Sequence, residues 1–80
     1  MSGTYSLLIS PEHADLVQGD AGVDPGTGFR LVHEQLQKAT GSRWYFYADP
    51  SLSKPEALRR AQQWYDSSGH PDWPGLAERA

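Results

Sequence analysis

The sequence predicts a small α+β domain, with two or three strands and a C-terminal amphipathic helix packed on the sheet. Three observations predict it. Arg43-Trp44-Tyr45-Phe46-Tyr47 is a run of aromatics, which fit a pleated, half-buried surface. Ser53-Lys54-Pro55-Glu56 is a helix start, with Ser53 as N-cap and Glu56 placed to close a capping box. Thr4 to Ile9 (TYSLLI) sets Tyr5, Leu7 and Ile9 against Thr4, Ser6 and Leu8, as a strand does.

The elements follow in order. After the first strand, Ser10-Pro11-Glu12 offers a hydroxyl cap, proline at N1 and an acid in the first turn, so a short helix over 11–18 is expected, stopped by Gly19. Residues 19–28 (GDAGVDPGTG) hold four glycines and a proline and are expected to form a loop. The segment from Phe29 to Thr40 reads two ways. Phe29, Val32, Leu36 and Ala39 recur at helical spacing and Gly41 is a ready C-cap, yet Phe29 to His33 alternates like a strand able to pair with 43–48 as a hairpin. Helix-forming residues in HEQLQKA tip the expectation to helix. Asp49-Pro50-Ser51 ends the aromatic strand. The helix at 54–68 buries a stripe of Ala57, Leu58, Ala61, Trp64 and Tyr65, points Arg59, Arg60, Gln63 and Asp66 outward, and ends at Ser67-Ser68-Gly69. Residues 1–69 thus form one compact domain, and 70–80 an irregular C-terminal tail anchored, if at all, by Trp73.

Composition bounds the function. Eighty residues support a single domain whose core supplies only about 3–5 kcal/mol. Without cysteine, neither disulfides nor thiolate metal sites can reinforce it. Self-association or a partner is the remaining staple. No signal-type apolar run and no window near the ~20 apolar residues of a membrane span occurs, so a cytoplasmic protein with no membrane contact is expected. The lack of Asn, the single Ile and the excess of five Arg over two Lys suggest a GC-rich bacterial or phage gene. The net charge of −3 is uneven: residues 1–28 carry −4, residues 29–65 carry +3 and the remainder −2. A dipolar chain favours charge-complementary docking or head-to-tail association.

Reactive chemistry finds little support. His13 lies near Glu12, Asp15, Asp20 and Asp24, but no paired-histidine metal motif or calcium loop is present. The glycines of 22–28 lack a Gly-Lys-Ser/Thr ending, and no nucleophile elbow or cysteine exists. His33 and His70 have no partner pattern that specifies a base. Neither a metal-dependent nor a histidine-based enzyme is favoured, and no cofactor is expected.

Binding chemistry is better represented. Alternation puts Trp44, Phe46 and Ala48 on one strand face and Arg43, Tyr45 and Tyr47 on the other, and a two-layer domain covers only one face with its helix. Tyr and Arg are enriched at interface hot spots. The sequence therefore points to a protein-binding module acting as a regulator, inhibitor or assembly factor, through Arg43, Tyr45, Tyr47, Arg59, Arg60, Gln63 and Trp73. Nucleic-acid binding by the Arg43/Tyr45/Tyr47 face is the alternative, weakened by overall acidity. Homodimerisation through an exposed edge strand would accompany either, because a short sheet leaves unpaired backbone groups.

Overall fold

The computed structural model describes residues 3–19 and 28–76. Four strands and one helix follow in order: β1 (Thr4–Ile9), β2 (Ala14–Gln18), β3 (Arg30–Gln37), β4 (Ser42–Ala48) and α1 (Lys54–Ser68). The strands form one mixed sheet in the order β2-β1-β4-β3. β1 runs parallel to β4 at the centre, while β2 and β3 pair antiparallel as the edges. The α+β expectation stands, but with four strands rather than two or three.

The helix expected over 11–18 is strand β2. Its start signal serves a tight turn instead: the Ser10 amide donates to the His13 carbonyl at 2.9 Å, and the Ser10 hydroxyl donates to the same carbonyl at 2.7 Å. Pro11 pre-sets φ for a turn as readily as for a first helical turn, so the two signatures coincide. Ala14 and Leu16 then face the core while Asp15 and Val17 face outward, the period-two pattern of a strand. The loop expected over 19–28 lies outside the described residues except for its ends.

The helix expected over 29–40 is strand β3, paired with β4 as the alternative hairpin. Register shifts between Leu31 and His33, where a bulge gives the strand an extra residue. The bulge interrupts the two-residue alternation, so Val32 packs on the core and Leu36 is exposed. The resulting spacing of apolar residues imitates a helical stripe. Gly41, proposed as a helix cap, sits at φ 79° and donates to the Gln37 carbonyl at 2.7 Å, closing the hairpin turn.

α1 begins as expected. The Ser53 hydroxyl accepts from the Glu56 amide, Pro55 lies in the first turn, and Gly69 ends the helix at φ 63°. The reciprocal half of the capping box is absent because the Glu56 carboxylate binds Arg59 and Arg60, at 2.9 and 3.1 Å. Among the described residues no helix is long and apolar enough to cross a membrane.

The core lies between α1 and one sheet face. Leu7, Ile9, Trp44, Phe46 and Ala48 from the central strands meet Leu52, Ala57 and Ala61. The segment after Gly69 is irregular to Leu76 but not loose. Trp73 stacks on Tyr65 (5.0 Å between centroids, 10° between planes) and meets Trp44 and Phe46 edge-on at 5.4 and 5.7 Å. The small helix and sheet enclose few large side chains by themselves, and this tail tryptophan completes the layer. Trp73 and Leu76, beyond residue 69, thus pack against the core.

Candidate functional site

Two surfaces carry the side chains singled out above, and they lie on opposite sides of the sheet. Because Trp44, Phe46 and Ala48 face α1, Arg43, Tyr45 and Tyr47 face the side that α1 leaves uncovered. The Arg43 guanidinium donates to Glu34 on β3 at 2.9 Å. Tyr45 is half-buried, its ring 6.5 Å from that of Tyr47. Tyr47 is only 4% exposed, so its ring belongs to the packed part of this face. Ser6 on β1 is also buried here, with its hydroxyl donating to the Gly19 carbonyl at 2.7 Å.

Register brings further residues onto this face. Leu31 lies opposite Tyr47, Glu34 opposite Tyr45 and Leu36 opposite Arg43. Leu31 and Leu36 are 46% and 43% exposed, and Val17 on β2 is 37% exposed. Leu31, Leu36 and Tyr45 form an apolar, aromatic strip at the β3–β4 half, crossed by one compensated charge pair, while Val17 stands at the far edge of the sheet. The sequence reading missed Glu34, Leu31 and Leu36 because it favoured a helix there. The signal was the alternation from Phe29 to His33, which places Leu31 across the sheet from the core.

Arg59, Arg60 and Gln63 project from α1 on the other side. Both arginines are tied to Glu56, and Arg60 also donates to the Pro11 carbonyl at 2.8 Å, fastening the helix to the β1–β2 turn. Beside them a cleft of about 340 Å³ is lined by Glu12, His13, Ala14, Arg60, Gln63, Trp64 and Ser67. At its rim His13 Nε2 lies 2.9 Å from Asp15 and His13 Nδ1 lies 3.4 Å from the Ser10 hydroxyl. This order of groups resembles a nucleophile, base and acid. However, the Ser10 hydrogen goes to the His13 carbonyl, and the His13 and Asp15 side chains are 61% and 64% exposed. Water competes at such a site, and Ser10 acts here as a turn staple. Among the described residues no three His, Asp or Glu side chains converge as metal ligands.

Trp73 is held by its rings, as above, and by its backbone carbonyl, which accepts from Gln37 Nε2 at 2.8 Å. Its neighbour Asp72 accepts from the Thr40 hydroxyl at 2.7 Å, and Thr40 Oγ1 lies 3.0 Å from Ser42 Oγ. The Ser42 hydroxyl, then those of Thr40 and Tyr5 and the nearby His70, hold the Asp72 carboxyl below the ordinary aspartate range, against slight desolvation. His70 accepts the Asp72 amide on Nδ1 at 3.1 Å and sits edge-on to Trp44 at 5.2 Å. These contacts attach the tail to the β3–β4 hairpin. Trp73 is thus half-buried and packed against the core.

No family model matches the sequence, and comparison with curated proteins and with solved structures finds no match.

Proposed function

We propose that the protein is a protein-binding module, a small regulator, inhibitor or assembly factor, that docks its partner on the sheet face opposite α1. The observation that carries this reading is the strip of Leu31, Leu36 and half-buried Tyr45 at the β3–β4 half. Exposed aliphatics beside a tyrosine and an arginine are the composition of a contact surface with a polar rim. Tyr45 is the anchor, and the Arg43–Glu34 pair supplies orientation. Tyr47 supports the anchor from within the packed part of the face. Arg59, Arg60 and Gln63 belong to the opposite surface and are not part of this interface, and Trp73 acts through the fold.

Charge favours a protein over a nucleic acid as the ligand. Arg43 is neutralised by Glu34, and Arg59 and Arg60 share Glu56, so the three arginines leave a single uncompensated positive charge, little for attracting a phosphate backbone. The test is affinity capture from a lysate, with and without nuclease, using wild type, Tyr45→Ala and Leu31→Glu. A protein that survives nuclease and is lost with both substitutions supports the reading. Material that disappears on nuclease treatment would replace it with nucleic-acid binding.

A further inference from the structure

We propose that the cleft between α1 and the β1–β2 turn binds a small zwitterion, a free α-amino acid with an apolar side chain. The cleft is walled by α1, so the proposal goes beyond the protein-binding reading and does not rest on it. Its two walls come from different elements. Arg60, Gln63, Trp64 and Ser67 are spaced i, i+3, i+4 and i+7 and therefore share one helix face. Glu12, His13 and Ala14 stand opposite, in the turn and at the first residue of β2. Trp64 and Ala14 are half-buried, whereas Glu12, His13, Gln63 and Ser67 are exposed, which gives an apolar interior and a polar rim. Trp73 and Trp44 pack on the Trp64 ring, at 5.8 and 6.4 Å between centroids, and fix it before any ligand arrives.

The charges specify the ligand. Arg60 donates to the Pro11 carbonyl at 2.8 Å, which holds its guanidinium beside the residue preceding Glu12. Glu12 nevertheless forms no ion pair with it, and the Glu12 carboxylate has no partner among the described residues. The neighbouring Asp15 is engaged by His13 at 2.9 Å, which leaves Glu12 as the acid open to a ligand. Arg60 shares Glu56 with Arg59, so one positive charge is left over. The guanidinium N–H groups not used on Pro11 and Glu56 have no partner among the described residues. A ligand carboxylate on Arg60 and a ligand ammonium on Glu12 satisfy both charges at once. A lone anion would meet Glu12, and a lone cation Arg60, like charge to like. The ligand's side chain lies against the Trp64 ring and Ala14, while the unpaired Gln63 amide and Ser67 hydroxyl border it. A volume of about 340 Å³ is near the low end of the ~300–1,000 Å³ of small-molecule sites, which suits one amino acid and not a nucleotide.

Titration of the isotope-labelled chain with L-leucine at neutral pH, followed through backbone amide chemical shifts, tests the proposal. Saturable shifts at millimolar ligand are expected at Glu12, His13 and Ala14 and at Gln63, Trp64 and Ser67. Isopentylamine, which lacks the carboxylate, and isocaproate, which lacks the ammonium, should each bind at least about fivefold more weakly. Glu12→Gln should weaken L-leucine about fivefold while leaving isocaproate unchanged or tighter, a pattern that loss of structure does not produce. Absence of saturable shifts with L-leucine overturns the proposal, as does isopentylamine binding as tightly as L-leucine. An L-leucine affinity indifferent to Glu12→Gln overturns it as well. Shifts confined to the sheet face opposite α1 would move the binding to the partner-docking surface and remove the cleft site.

Discussion

Tyr45 and Tyr47 lie two residues apart on one strand face, yet their environments separate two kinds of effect. Tyr47 is 4% exposed and Tyr45 half-buried. Tyr47→Ala is expected to lower stability by about 2–4 kcal/mol, since it empties packed volume. Tyr45→Ala should cost about 1 kcal/mol or less while abolishing partner capture. Chemical denaturation of both variants, alongside capture, separates these outcomes. Asp72 makes a second residue-scale prediction. Its folded-state pKa lies below the ordinary aspartate value, so the stability it contributes is present above about pH 4 and is lost as pH falls through the lowered value. Tail docking, followed by tryptophan fluorescence, should therefore weaken below about pH 4, and Asp72→Asn should remove that acid-dependent step. An unchanged acid profile in Asp72→Asn would show that the carboxylate is not what holds the tail.

At the scale of elements, local signals were most legible where one residue type serves one role. Ser53 and Gly69 bound α1 as read from sequence, because an N-cap hydroxyl and a left-handed glycine have few other uses at those positions. Ser53→Ala should cost about 1 kcal/mol. Gly69→Ala should cost about 1 kcal/mol through its positive φ, since the space around its Cβ position is open. Thermal melts of the two variants give both values. The signals misled where one pattern fits two structures. Ser10-Pro11 starts a turn as well as a helix, and the bulge in β3 gives a strand the spacing of a helical stripe. Pairing with β4 decided the second case, because non-local partners override weak helix propensity.

For the whole molecule, the aromatic cluster joins elements far apart in sequence. Trp44, Phe46, Trp64, Tyr65 and Trp73 meet from β4, α1 and the tail. Trp73→Ala is expected to lower stability by about 2–4 kcal/mol, a large share for so small a domain, and to diminish the near-ultraviolet dichroism of the cluster. A variant with wild-type stability would make the tail an accessory. The split between the two arginine-bearing surfaces is also a property of the whole: Arg43 and Arg59 lie on opposite sides because α1 packs on the face that carries Trp44. An interface drawn from residue types alone merged them.

The sequence by itself determined β1, β4 and α1, the inward side of the aromatic strand, and the absence of disulfide support. Each of these rests on local periodicity, caps or composition, which act over a few residues. Only the tertiary structure decided that 14–18 and 30–37 are edge strands, that Tyr47 is buried, and that Trp73 packs against the core. It also decided that Leu31 and Leu36 stand beside Tyr45 on an open face. The reason is physical: strand pairing and burial depend on residues distant in sequence, and ambiguous local preferences follow whichever arrangement satisfies backbone hydrogen bonds and covers the rings.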